Sequence, residues 1–313
     1  MTQRVVVIGA TGHIGRPLCR ELIRAGNLVT VFSRSPDRAQ HVVPGAASYV
    51  TWSPAALSEE CTGHLEWADA VVYLAGGPLF DGRRRSREDV AAESRARAGA
   101  LGQLVTALGG LGRGPGTLIA ASSVGYYGYA GSCEERVDEA HPAGRDWWGQ
   151  DSAAIEHAAM GAQALGVRTI VLRTGYVLTP DSLASQVAQF RGWVGTGRCW
   201  TPWIHLDDTV GIIVFALQQP SLDGPVNLTA PEPVRAREFA RALGQAVSRR
   251  AWLAAPTPLA RMGLGVITDI LVRGKHIVPD RVSGLGYQFR FPVLDTALRD
   301  LVGQPDSPAA GVR

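Results

Sequence analysis

The sequence predicts an α/β protein built on a doubly wound parallel sheet, and three features carry that expectation. Apolar runs alternate with amphipathic stretches from the N-terminus onwards, the pattern of strand and helix in crossover units. The strongest runs, Val5-Val6-Val7-Ile8 and Thr169-Ile170-Val171-Leu172, are continuous rather than alternating, as strands buried on both faces must be. A glycine-rich turn, Gly9-Ala10-Thr11-Gly12-His13-Ile14-Gly15, stands between the first run and the first amphipathic stretch.

Taken in order, strands are expected at 4–9, 28–32, 48–52, 70–74, 117–121 and 168–172. Helices are expected at 14–25, 87–108 and about 150–165. A Rossmann-type domain is then expected from residues 1–175 and 201–230, and a smaller C-terminal substrate region from 176–200 and 231–303. The last residues, 304–313, are rich in Pro, Ser, Ala and Gly and read as a frayed tail. Pro258 to Leu271 is apolar with a helical period. The stretch 258–280 is therefore a candidate lid, with a fixed core helix or an oligomer contact as alternatives.

Composition narrows the function classes. With 313 residues, 46% apolar and 19% charged, the chain can bury a real core, and its 37 glycines follow no period. No apolar run approaches a membrane span, and the N-terminus enters a strand without a signal-peptide pattern. Cys19, Cys61, Cys133 and Cys199 form no C-x-x-C pair, which argues against a disulfide scaffold or a metal site and fits a reducing cytoplasm. Net charge is +3, and the one dense basic cluster, Arg83-Arg84-Arg85 with Arg87, runs into Glu88 and Asp89. That reads as a solvated loop, so no nucleic-acid partner is expected. One count constrains any mechanism: of the 31 basic residues only Lys275 is a lysine.

The glycine turn implies a dinucleotide. Glycines permit the tight turn, bring backbone N–H groups to a pyrophosphate and let the helix pack on the strand, while the helix N-terminus faces the phosphates. Gly9, Thr11, Gly12, His13 and Ile14 are the loop's candidate contacts, His13 through its backbone. At the end of the second strand, a cofactor without a 2′-phosphate is usually read by an acid. Here Val31-Phe32-Ser33-Arg34-Ser35 has none before Asp37. Ser33 and Arg34 offer a hydroxyl and a guanidinium fork to a 2′-phosphate, so NADPH/NADP is the expected cofactor.

These motifs, with Leu74-Ala75-Gly76-Gly77, Ser122-Ser123-Val124-Gly125-Tyr126-Tyr127-Gly128 and Trp203-Ile204-His205-Leu206-Asp207-Asp208, resemble the extended short-chain dehydrogenase/reductase superfamily. Ser94-Arg95, Arg173 to Leu178, Asn227 to Val234, Val278-Pro279-Asp280-Arg281 and Gly286 to Phe289 are similar to its atypical nucleotide-sugar epimerase-like group with a C-terminal domain of unknown function. Within that group the chain looks most like an antibiotic-pathway ketoreductase acting on an angucyclinone, as in simocyclinone assembly. The resemblance implies cofactor contacts from Leu74, Ala75, Gly76, Ser122, Thr174, Gly175 and Val177.

The superfamily's chemistry rests on Ser, Tyr and Lys, the last two at Y-x-x-x-K. Counting back from Glu156 places the tyrosine position at Trp148 and the lysine position at Ser152, so both usual groups are missing. The serine corresponds to Ser123. An indole N–H only donates, so it cannot serve as the acid. The remaining candidates are Ser123, Ser152 and Tyr127, with Trp148, Tyr126, Tyr176, Trp193 and Trp200 as aromatic walls of a substrate pocket. Alternatively, these tryptophans fill the core. His205 and Asp207 read as a structural corner and Asp208 as a helix cap. The expected function is NADPH-dependent reduction of a carbonyl on an aromatic polyketide, possible without Tyr and Lys if the substrate supplies its own proton. An epimerase or dehydratase, and a non-catalytic NADP(H)-binding regulator, are the alternatives, and the oligomeric state is open.

Overall fold

The computed structural model describes residues 2–54, 57–77, 84–180, 192–247 and 253–303. The expected tail at 304–313, and parts of the expected substrate region at 181–191 and 248–252, lie outside the described residues. Seven strands make one parallel sheet: β1 (Arg4–Ile8), β2 (Leu28–Ser33), β3 (Ser48–Thr51), β4 (Ala70–Tyr73), β5 (Thr117–Ser123), β6 (Arg168–Thr174) and β7 (Gly224–Leu228). Their spatial order is β3-β2-β1-β4-β5-β6-β7. The order reverses between β1 and β4, and that switch point opens a crevice at the carboxyl ends of the strands.

Two apolar cores flank the sheet, as continuous-run strands require. Helix α1 (Gly15–Arg24) and helix α6 (Leu206–Gln218) cover one face through Leu18, Cys19, Leu22, Ile212, Ile213 and Ala216. Helices α3 (Glu59–Trp67), α4 (Arg87–Gly109) and α5 (Trp147–Met160) cover the other through Leu65, Leu101, Leu104, Ile155 and Ala159. Helix α4 opens on a reciprocal cap between Ser86 and Asp89. The expected helix at 150–165 instead starts at Trp147, capped by the Asp146 carboxylate, and tightens to a 3₁₀ turn at Gly161–Leu165.

The seventh strand was not among the expected ones. Pro225 interrupts its donor row, which only an edge position tolerates, and β7 lies at the edge of the sheet. Helix α2 (Pro36–Val42) and helix α3 also escaped the reading, because each spans only two turns.

The C-terminal segment is tied to this sheet by a buried carboxylate. Asp208, 1% exposed, was expected to cap α6, but the cap is His205, whose Nδ1 accepts the Asp207 N–H at 3.1 Å. Asp208 instead accepts the backbone N–H groups of Arg290 and Phe291 at 2.8 and 2.9 Å and the Tyr287 hydroxyl at 3.2 Å. The helices Ala236–Ala246 and Leu294–Gly303 then close a third core through Phe239, Leu243, Leu294 and Leu298. Asp208→Ala removes all three acceptor contacts at once. Chemical denaturation is expected to show a loss of about 2–4 kcal/mol, since buried donors are left without partners.

Candidate active site

The crevice begins where β1 ends. Gly9 turns at φ +89°, and a methyl there would sit 2.7 Å from the Leu74 carbonyl carbon and 2.8 Å from the Ala75 nitrogen. A methyl on Gly15 would strike the Gly9 carbonyl oxygen. The loop therefore packs backbone to backbone against β4 and α1, as a phosphate cradle requires. Helix α1 carries no acid in its first turn and no side-chain cap, so its N-terminus is open to an anion. Arg16 steadies the loop by donating from Nε to the Thr11 carbonyl at 2.8 Å, and His13 is exposed on its outer side. At the end of β2, Ser33 Oγ accepts the Ser35 N–H at 3.1 Å. Arg34 is exposed and makes no hydrogen bond or ion pair among the described residues. These residues fit a phosphorylated dinucleotide: a cradle that any side chain would fill, an uncapped helix and an uncommitted guanidinium.

Ser123 and Ser152 come from different elements and converge. An ideal methyl on Gly125 would lie 3.3 Å from Ser123 Oγ and 3.2 Å from Ser152 Oγ, so both hydroxyls border one point. Ser123 ends β5, accepts the Gly125 N–H at 3.0 Å and pairs in register with Thr174 at the end of β6. Ser152 is on α5, one turn beyond Trp148. Gly175 lies so close to the Pro202 carbonyl oxygen that a side chain has no room, and Val177 is in register with Ile204.

Trp148 is 5% exposed, stacked on Trp147 at 4.1 Å and edge-on to Tyr129 at 5.5 Å. Ile267 of the helix Ile267–Arg273 packs against the same cluster. The segment read as a candidate lid thus covers Trp148, and Val266 donates its N–H to the Arg85 carbonyl at 3.1 Å. The Trp148 indole Nε1 has no hydrogen-bond partner among the described residues.

Tyr127 is not available as an acid. Its hydroxyl donates to Asn227 Oδ1 at 2.7 Å and accepts from Arg173 Nη1 at 2.9 Å, and burial pushes the phenol up to about 12. Arg173 holds Glu156 through two bonds, Nε to Oε1 at 3.0 Å and Nη2 to Oε2 at 2.9 Å. Ser122 Oγ donates to the same carboxylate at 3.0 Å, so its side chain turns away from the crevice. Glu139 accepts the Asn227 N–H at 3.0 Å, and burial raises its carboxyl. Tyr126 lies half-buried with its face 3.5 Å from the Arg173 guanidinium.

Three expected pocket aromatics are committed elsewhere. Tyr176 packs edge-on to Phe239 at 6.0 Å within the third core. Trp193 lies against Gly197 and within 5.7 Å of the Arg241 guanidinium. Trp200 is sandwiched between His276 at 4.2 Å and the Arg235 guanidinium at 3.8 Å. Sequence spacing cannot tell a ring that lines a pocket from one that fills a joint.

Two residues beside the candidate site were not among those expected. Asp151, next to Ser152, has a carboxyl oxygen without a partner among the described residues; burial raises its pKa against the opposing charges of Arg95 and Arg87. Arg97 of α4 reaches the end of β4, where its Nε donates to the Ala75 carbonyl at 3.1 Å. The nearest signal for Arg97 was its position two residues after the Ser94-Arg95 motif.

A switch-point crevice with this glycine cradle defines a dinucleotide-binding α/β protein. The chain belongs to the NAD dependent epimerase/dehydratase family, whose model matches residues 5–228. A domain of unknown function, DUF1731, matches residues 255–301. The Arabidopsis thaliana chloroplastic homologue of epimerase family protein SDR39U1 is 33% identical over 307 residues, covering 95% of this chain and 86% of its own. Human epimerase family protein SDR39U1 is 32% identical over 309 residues, covering 96% and 99%. The crystal structure of that human protein (isoform 2), solved with NADPH, superposes with a TM-score of 0.78 at 28% identity, covering 96% of this chain and 99% of that one. Thermus thermophilus UDP-glucose 4-epimerase, in complex with NAD, shares the fold at a TM-score of 0.70 and 20% identity, with 96% and 97% covered.

The ion pair beneath the site yields a test. Glu156→Ala leaves the Arg173 guanidinium, 3% exposed, without its carboxylate. Urea unfolding is expected to register a loss of about 3–5 kcal/mol, the cost of an orphaned buried charge.

Proposed function

We propose that the chain is an NADPH-dependent reductase of a carbonyl group on a polycyclic aromatic compound of the polyketide type, working without the Tyr/Lys pair. The observation that carries this reading is the buried, unpartnered indole N–H of Trp148 on the helix face that also presents Ser152, four residues on. The resemblance puts the missing tyrosine at that position. Bound NADPH would supply the hydride, and the protein's part is to hold and polarise. Ser33 and Arg34 hold the 2′-phosphate, and the open N-terminus of α1 takes the pyrophosphate. Once the covering helix Ile267–Arg273 moves aside, Trp148 Nε1–H and the Ser123 hydroxyl donate hydrogen bonds to the carbonyl oxygen, stabilising the negative charge that develops there. The indole does not ionise, so the proton that completes the alcohol comes from water or from a phenol beside the ketone. That requirement, together with the aromatic Trp147–Trp148 stack, favours a flat hydroxylated aromatic substrate.

Turnover is read from nicotinamide absorbance with NADPH and a panel of aromatic polyketide ketones. A second reading, a non-catalytic NADP(H)-binding regulator, is favoured by the committed Tyr127 hydroxyl and would give binding without turnover. Oxidised cofactor retained through purification would instead point to an epimerase or dehydratase.

Two outcomes test the residues. Arg34→Ala is expected to weaken NADPH about ten- to hundredfold and NADH little, in parallel titrations, because only the 2′-phosphate loses a charge-assisted partner. Equal losses would remove Arg34 from the site. Ser123→Ala is expected to slow turnover by about one to three orders of magnitude without abolishing it, as for one lost oxyanion donor. Methylating the hydroxyl beside the ketone is expected to cost more than that mutation. A methyl ether reduced at the parent rate would mean that the protein supplies the proton.

A further inference from the structure

Arg97 forms no ion pair among the described residues. The side chain leaves α4 and runs to the loop that follows β4, where Nε donates to the Ala75 carbonyl at 3.1 Å. No other hydrogen bond or ion pair engages it among the described residues. Its guanidinium lies against Gly76, where a methyl would come within 2.6 Å of Cζ, so the glycine leaves the space that the side chain occupies. Leu74 and Ala75, the two residues before Gly76, are those that press against Gly9. The guanidinium therefore stands at the switch point, beside the dinucleotide crevice. Burial pushes its pKa below the ordinary arginine range, with Glu93 and Tyr73 opposing only through charge. The side chain is half-buried and a single carbonyl holds it, so most of its donors remain unused.

We propose that Arg97 is an anion anchor, binding a negatively charged oxygen at the carboxyl end of β4. The inference rests on the reading of the crevice as a dinucleotide site. Two molecules can bring that oxygen: the dinucleotide, through its pyrophosphate, or the substrate, through a carboxylate or phenolate. The fork of donors suits either.

Arg97→Met and Arg97→Lys in the full chain separate the sources by calorimetry. One arm titrates NADPH and 2′-phospho-ADP-ribose, which keeps the pyrophosphate without the nicotinamide. The other titrates 1-hydroxy-2-naphthoate into protein saturated with NADP. Arg97→Met is expected to weaken binding at least tenfold in one arm, and Arg97→Lys to restore part of it. A loss of NADPH and 2′-phospho-ADP-ribose together assigns the anion to the pyrophosphate. A loss confined to the naphthoate assigns it to the substrate. Without ligand, Arg97→Met is expected to melt no lower than the parent, because an uncompensated charge has been removed. Unchanged affinity in every arm that the parent supports overturns the proposal. So does a methionine variant that melts lower and is not rescued by lysine, which would make Arg97 a packing residue. A parent that binds neither NADPH nor 2′-phospho-ADP-ribose overturns the dinucleotide reading itself, and the anchor with it.

Discussion

The buried pair of Arg173 and Glu156 is the joint on which the site depends. One guanidinium, at the end of β6, binds a carboxylate from α5, a phenol from the turn after β5 and the Glu139 carbonyl. Asn227 of β7 is drawn in through the same phenol, and its amide reaches the Val278 carbonyl at 2.9 Å. Strands that share only backbone ladders can slide or splay at their ends, but side chains bonded across four elements fix those ends together. Charge makes the fixing strong, because neither partner can be left alone in so dry a place. Ser123, Ser152 and Trp148 hold their positions because α5 cannot shift relative to β5 without breaking this knot.

The same knot explains how the fold can dispense with tyrosine and lysine while keeping its shape. In the usual arrangement those two residues act above the sheet and the surrounding side chains support them. Here the support is intact, and on the proposed reading the acting groups are an indole and a hydroxyl. Both can donate a hydrogen bond, and neither holds an exchangeable charge near neutrality. On that reading the site polarises and positions, with proton supply left to the ligand or to water.

Fold and loop were legible in the sequence because they rest on local signals. Val5 to Ile8 and Thr169 to Leu172 announce buried parallel strands, and Gly9 to Gly15 announces the turn between the first strand and helix. Strand β7 was not legible, since Pro225 argues against a strand until its edge position is known. The Tyr127 hydroxyl looked available for the same kind of reason: that it meets Arg173 and Asn227, 46 and 100 positions away, is a fact of three-dimensional contact. Tryptophan clustering between 147 and 203 suggested one pocket, but the chain sends Trp148 into a buried cluster with Tyr129 and Ile267 and Trp200 to the joint with His276. Arg97 went unnoticed because nothing in a helical arginine signals that its guanidinium reaches the loop after β4. Chain order, by contrast, shows when each contact can first exist.

The clamp at Asp208 bears on how the chain is made. Every strand of the sheet has been synthesised by residue 228, yet the N–H groups that satisfy this carboxylate belong to residues 290 and 291. Until those residues emerge, α6 must either keep an unsatisfied charge against the sheet or hold that end away from it. The sheet is therefore assembled before it is sealed. The nascent chain passes through an interval in which the nucleotide-binding half is topologically complete but still open at one end.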